Sequence, residues 1–349
     1  METTLTFFPT AATARSTSPF TYDPEPLLAR LRRAKEEREM ERLRDSRATG
    51  IKSFSPVTHE AMAEIWPILE KEAGRTTDFS YGGLLMWVDY FKYEYAIVND
   101  TLFIKGLVEN DVTTPAFSLP VGGMPLADSV AMVRDYCRRE GIVCEFSAVP
   151  EYAMPQMRAL GPVREEELTD WADYLYEAAP LATLSGKKMA KKRNHVNKFL
   201  ATNPDWELVE LTPANVSEAR EFMDVFDLEG DATPMAVEER KLTRMLIDRV
   251  AEGDRYLRGA LLKTAGKVCA FTIGDIKGDT LFVHVEKATR AVDGSYEMIN
   301  KAFAEAVCGK HPEVKYINRE DDAGDEGLRK AKESYKPVEM LRKYNVVFA

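Results

Sequence analysis

YLRGALLKTAGKVCAFTIGDIKGDTLFVHVEKA, from Tyr256 to Ala288, holds three strand-length runs in succession. YLRGALLKT, VCAFTIGDI and TLFVHVEKA are mostly apolar, and Gly266 and Gly278-Asp279 separate them. Such runs between turn residues predict neighbouring strands. In the third run, alternation sends Val283 and Val285 to one face and Phe282, His284 and Glu286 to the other. His284 and Glu286 are then expected side by side, about 7 Å apart. Two polar residues on one face of a half-buried strand read either as a solvent-facing side or as a general base with a substrate-orienting partner.

The pattern extends both ways. Downstream, GSYEMINKAFAEAVCG predicts a helix, VKYIN a strand, DEGLRKAKESY a helix, and PVEMLRKYNVVFA closing strand-like runs. Upstream, LSGKKMAKKRNHVNKF predicts a helix, WELVELT a strand, and VSEAREFMDVFDLEG and AVEERKLTRMLIDRVAEG two helices. The first half runs similarly. A helix in SPVTHEAMAEIWPILEKE precedes a hairpin, YEYAIVND–TLFIKGLV, turning at Asn99-Asp100. A helix ending at Gly141, the strand IVCEFSAV, a short helix and the extended DWADYLYE come next. Both halves therefore read helix, strands, helix, strand, without a residue-level repeat. The expected class is α+β, two domains each with a mixed sheet flanked by helices. The boundaries fall at a charged extension, 1–50, a first domain, 51–178, and a second, 179–349, that opens on a basic helix.

The totals exclude several classes. The 349 residues carry 47 Lys and Arg against 57 Asp and Glu, a formal charge of -10. That balance disfavours nonspecific coating of nucleic acid. No apolar run approaches the ~18 residues of a membrane span, and no secretory leader is legible at the start, so a cytoplasmic protein is expected. The four cysteines form no CxxC pair and stand apart from the histidines, so no zinc site and no disulfide framework are expected.

Against this acidic background, Leu184–Phe199 carries Lys187, Lys188, Lys191, Lys192, Arg193 and Lys198 and no acid. On a helix, Met189, Val196, Phe199 and Leu200 gather on one side. Lys187, Lys191 and Lys198 form a stripe opposite, and Lys192 and Arg193 flank the apolar side. Ser185 sits where an N-cap is expected. Like charges at i, i+4 cost a few tenths of a kcal/mol each. The stripe reads either as a solvated face paired with acids elsewhere or as a phosphate-binding surface.

Further on, Arg290, Gly294 and Ser295 lead into a helix whose first amides face outward for an anion. The strand VKYIN delivers Asn318, Arg319, Glu320, Asp321 and Asp322 at its end, where open sheets place ligands. Consecutive side chains on a strand end diverge, so no metal site is expected from these acids. Tyr335 shares a helix face with Leu328 and Ala331 and is expected to point at the sheet, as a core tyrosine or a functional phenol.

ADYLYEAAPLATLSGKKMAKKRNHVNKF, FTIGD, HVEKA and YINREDDAGDEGLRKAKESYKP together resemble the carboxyl-terminal domain family of phosphatidylglycerol lysyltransferases. The resemblance runs from roughly Ser53 to Tyr344. It implies two tandem folds of the general-N-acetyltransferase (GNAT) type. It also implies transfer of an amino acid from aminoacyl-tRNA to an acceptor, as on the glycerol hydroxyl of phosphatidylglycerol; Fem-type peptidoglycan aminoacyltransferases are similar in design. Carried onto this sequence, backbone amides of strand Thr280–Lys287 would polarise the acyl carbonyl. Arg290–Tyr296 would stand where acyl-coenzyme-A users place a glycine-rich pyrophosphate loop, here with Gly294 alone. Tyr335 would be the acid.

The expected function is thus an aminoacyltransferase with aminoacyl-tRNA as co-substrate, no further cofactor, and a lipid, peptide or small acceptor. Glu286 or His284 is the expected base and Tyr335 the acid. Lys187, Lys188, Lys191, Lys192, Arg193, Lys198, Arg290 and Gly294 are the expected donor contacts. Asn318, Arg319, Glu320 and Asp321 are the expected substrate contacts. The alternatives are an acyl-coenzyme-A-dependent N-acyltransferase and a non-catalytic protein that binds RNA or an anionic membrane surface peripherally. The residues set no oligomeric state.

Overall fold

A computed structural model describes residues 50–229 and 234–349. The expected extension lies outside them, Gly50 excepted. Fifteen strands form two sheets among the described residues. The first sheet takes β1 (Ser55–Pro56), β2 (Glu94–Val98), β3 (Thr101–Val108), β4 (Asp111–Phe117), β5 (Val121–Gly122), β6 (Cys144–Pro150) and β7 (Arg164–Glu167). The second takes β8 (Asp173–Glu177), β9 (Glu207–Glu210), β10 (Leu257–Thr264), β11 (Lys267–Lys277), β12 (Thr280–Ala288), β13 (Tyr316–Asn318) and β14 (Glu339–Leu341). The last strand, β15 (Lys343–Phe348), returns to the first sheet.

The expected hairpins form. β2 and β3 pair across Asn99 and Asp100, both at positive φ, the geometry that a two-residue turn requires. β10, β11 and β12 are successive antiparallel neighbours. Each sheet contains one parallel pair, β4 with β6 and β12 with β13. The halves are therefore built alike, as the shared element order implied.

Two strands cross the boundary expected at residue 178. In spatial order the first sheet ends β4-β6-β15-β7 and the second ends β12-β13-β8-β14. β8 thus holds in the second sheet the place that β15 holds in the first. The halves exchange a strand, and Gly50–Ala349 forms one unit.

Helices cover the sheets. In the first half these are α1 (Met62–Leu69), α2 (Tyr81–Met86), α3 (Val88–Phe91), α4 (Leu126–Glu140) and α5 (Met154–Ala159). In the second they are α6 (Ala178–Thr183), α7 (Ala190–Thr202), α8 (Val216–Glu229), α9 (Pro234–Ala251), α10 (Ser295–Lys310) and α11 (Glu326–Glu333). One core runs from the first sheet onto one face of the second, joining Phe117, Phe146, Leu246, Phe271 and Val285. The other face of the second sheet packs α6, α7 and α10 through Phe199, Val283, Met298 and Tyr335.

α7 is the expected basic helix, and Met189, Val196 and Phe199 are buried as expected. Two details differ. Leu200 is exposed at the rim of the apolar face. Ser185 makes no cap. The chain enters through a single turn at Lys187–Met189, and Arg193 reaches back to the carbonyls of Leu184 and Gly186 instead. Leu184 at φ 49 and Gly186 at φ 85 turn those carbonyls toward it.

Candidate active site

The alternation expected in TLFVHVEKA is broken. Ile273 pairs with Val285 and Gly274 with Val283, so β12 carries one extra residue at His284. A bulge of this kind reverses the facing of the residues after it. Val283 enters the core beneath α10 and Val285 the core shared with the first sheet. His284 and Glu286 consequently face different partners, not one another.

His284 is buried against the α2 side. Its Nε2 lies 2.5 Å from Asp275 Oδ1, and its Nδ1 lies 2.7 Å from Glu320 Oε1. A Cβ on Gly82 would come within 2.5 Å of the ring, so only glycine lets α2 approach so closely. Burial alone pulls the imidazolium down, but hydrogen bonds to the two carboxylates outweigh it and push His284 up to about 10. Held as a cation with both nitrogens donating, it offers no lone pair. The expected base role for His284 is corrected to an ionic cluster within the second half, on which the first half docks through Gly82 N–H donating to Asp275 Oδ1.

That cluster predicts a pH dependence. A histidine raised from about 6.5 in the unfolded chain stabilises fully below that pH and loses the contribution as pH rises toward its folded value. Stability should therefore fall between about pH 6.5 and about pH 10, and His284→Gln should flatten the fall. Denaturant titrations of both proteins across this range check it; an identical slope in the variant refutes it.

Glu286 faces the opening between β12 and β13. These strands pair only through Thr280–Phe282 and Tyr316–Asn318 and then part. Across the gap, Arg319 Nη2 donates to Glu286 Oε1 at 2.7 Å, and Asn300 Nδ2 from α10 donates to Oε2 at 3.1 Å. Tyr335, 5 % exposed, closes the floor. Two cations approach its ring, with Lys192 Nζ 4.1 Å and Arg319 Cζ 4.8 Å from the centroid. Burial pushes the Tyr335 phenol well up, so it keeps its proton at neutral pH. Burial pulls Lys192 down, opposed by Glu297, whose Oε1 lies 3.3 Å from its Nζ.

The basic helix meets this cluster through Lys192. Lys187, Lys188 and Lys191 are exposed and form no ion pair among the described residues. Lys198 reaches Asp293 at 2.6 Å. Gly294, at φ 81, packs on the backbone of α7: a Cβ there would meet His195 O at 2.5 Å. The loop expected in a pyrophosphate position instead sets Asp293 and Glu297 at the start of α10, each against a lysine. Two carboxylates there disfavour a second anion. Arg290 is exposed beside them.

The four expected substrate contacts separate, because successive strand residues point oppositely. Arg319 joins Glu286. Asn318, fully buried, donates to Arg75 O and Asp173 Oδ2 and accepts from Glu320 N. Glu320 is spent on His284 and accepts from Thr77 Oγ1. Asp321 accepts from Ala323 N, and burial pushes its carboxyl up to about 6. Asn318 and Glu320 therefore serve the seam between the halves rather than the opening, and Asp321 caps its own turn.

The model of the phosphatidylglycerol lysyltransferase C-terminal family matches residues 71–347. The chain belongs to that family. A crystal structure of a conserved protein of unknown function from Bacteroides thetaiotaomicron superposes with TM-score 0.76 at 33 % identity, covering 86 % of this chain and 100 % of that one. L-PGS from Bacillus licheniformis superposes at TM-score 0.60 and 15 % identity, covering 85 % and 94 %. FemX matches at TM-score 0.56 and 10 % identity, covering 85 % and 97 %. An uncharacterised curated protein of Mycoplasmoides gallisepticum is 23 % identical over 175 residues, 50 % of this chain; the match spans 55 % of that protein.

The family match and the superpositions show the fold of the phosphatidylglycerol lysyltransferase C-terminal family. No helix among the described residues is long and apolar enough to cross a membrane. Within the family's scaffold, sequence reading missed Asn300, Asp275 and Glu297. Asn300 carried a signal, as a polar residue between Ile299 and Ala302 on the buried side of α10. Asp275 and Glu297 carried none, since only the bulge and the packing of α7 on α10 give them partners.

Proposed function

We propose that this protein transfers an aminoacyl group from aminoacyl-tRNA to a hydroxyl or amine acceptor on a lipid, peptide or small molecule. The observation that carries the reading is the continuity from exposed Lys187, Lys188 and Lys191, through Lys192, into the Glu286–Arg319–Tyr335 cluster. A polyanionic donor lying along the first meets the second at its esterified end.

In this reading the acceptor attacks the ester carbonyl while Glu286 takes its proton. Amides of β12 beyond Phe282, where the strand parts from β13, and the Arg319 guanidinium support the oxyanion. The bond to the ribose oxygen breaks, and Tyr335 protonates that oxygen. Holding donor and acceptor together contributes several kcal/mol. The ester is already activated, so the reaction needs no other energy source.

Binding of charged tRNA, uncharged tRNA and acetyl-coenzyme A at two salt concentrations tests this. Salt-sensitive tRNA binding, tighter with the aminoacyl group, is expected. Binding of acetyl-coenzyme A alone would transfer the protein to the acyl-coenzyme-A users. RNA binding without any transfer would make it a binding protein. Lys187→Glu with Lys191→Glu should weaken tRNA binding and lower the salt slope by about 1 for each phosphate no longer neutralised. The midpoint of thermal unfolding should stay unchanged, because both side chains are exposed. A flat salt response in the unmodified protein overturns the phosphate contacts.

A further inference from the structure

Two buried polar atoms beside Glu286 have no hydrogen-bond partner: Asn300 Oδ1 and Arg319 Nη1. Asn300 is 4 % exposed. Each side chain uses its other polar group on the same carboxylate, Asn300 Nδ2 on Oε2 and Arg319 Nη2 on Oε1. Glu286 therefore fixes an orphan acceptor and an orphan donor on its two sides. Buried polar groups are almost always paired, so two orphans held by one carboxylate call for an explanation.

The pair defines what completes it. A ligand needs a donor for Asn300 Oδ1 and, close by, an acceptor for Arg319 Nη1. A phosphodiester has acceptors only and leaves Asn300 unsatisfied. A plain acyl thioester also has only its carbonyl. An α-amino ester has both, an ammonium and a carbonyl separated by one carbon. The charges agree: the ammonium falls by Asn300 and Glu286 Oε2, and the carbonyl oxygen by Arg319. Tyr335, under Arg319, then lies on the carbonyl side, where a leaving oxygen departs.

We infer that Asn300 and Arg319 form a subsite that reads the α-ammonium and ester carbonyl of an aminoacyl group. Asn300 is its specificity-determining residue against acyl groups that lack the amine. The inference rests on the aminoacyltransferase reading and deepens it, since it assigns the discrimination between donor classes to one side chain.

The test uses the full chain with three probes, alanine methyl ester, lysine methyl ester and methyl propionate, titrated by ligand-observed NMR. Both amino esters should bind at least about tenfold tighter than methyl propionate, the worth of one well-placed hydrogen bond to a charged group. Asn300→Leu should bring the ratio close to one, and Asn300→Asp, which keeps the acceptor, should preserve the preference. No preference in the unmodified protein, a comparison that needs no variant, overturns the subsite; so does a preference that survives in Asn300→Leu. Uncharged tRNA titrated into the unmodified protein at low salt separates the two levels. If tRNA binds while the amino-ester preference is absent, the subsite alone fails. If the unmodified protein binds no tRNA, the donor reading fails with it.

Discussion

Glu286→Gln is expected to lower the single-turnover rate of aminoacyl transfer by about 10²–10⁴-fold, the usual contribution of a positioned base. Glutamine keeps the volume and still accepts from Arg319 or Asn300, so the opening between β12 and β13 should hold its shape. What is lost is the capacity to take a proton from the acceptor. The affinity for tRNA, which the proposed function assigns to α7 and the turn before it, should change little. The ion pair with Arg319 is lost too, so unfolding should be measured beside the rate. A fall in rate with preserved tRNA affinity and a folded protein supports the base role. A rate equal to the unmodified protein's, with the acceptor that protein uses, removes Glu286 from the chemistry.

The largest effect on stability is expected at Lys343. It stands on β15, the strand returned to the first sheet, and is 1 % exposed. Its Nζ lies 2.8 Å from Asp173 Oδ1 and 2.9 Å from Asp78 Oδ2. Asp173 belongs to β8, the strand given to the second sheet, so one ammonium ties both exchanged strands. Burial opposes its charge, but Asp173 and Asp78 hold Lys343 well above the usual lysine range. Its contribution is therefore present throughout the neutral range and lost only at strongly alkaline pH. Lys343→Met keeps most of the stem and strands two buried carboxylates, which should cost about 3–5 kcal/mol. Urea unfolding at neutral pH, followed by tryptophan fluorescence, measures this. Adding Asp173→Asn should recover part of the loss, because one uncompensated charge goes with it. A single-variant loss below about 1 kcal/mol would mean that the seam is hydrated and the pair weak.

Local sequence determined the elements. The runs of Tyr256–Ala288, the Asn99-Asp100 turn and the one-sided apolar face of Leu184–Leu200 each depend on neighbours within a few residues, and each formed. The shared order of the halves and the motif blocks around the basic helix pointed to the family. Of the candidate site, Glu286 and Arg319 were legible as polar residues at strand ends and Lys192 as a cation flanking a helix's apolar side; Tyr335 is buried, but just past α11, whose Leu328 and Ala331 are exposed, and not on an inward face of that helix.

The partners were not legible, because they are set at long range. One extra residue at His284 turned it away from Glu286, and strict alternation contains no sign of such a bulge. The strand exchange is equally invisible. β8, DYLYE, and β15, KYNVVF, carry no local sign of the sheet that each joins. Sequence alone therefore determined the scaffold and the charge on one helix. Only the tertiary structure decided which carboxylate faces the opening, which histidine is locked as a cation, and that one lysine ties the two exchanged strands. Those outcomes are settled by burial and by pairing between segments far apart in the chain.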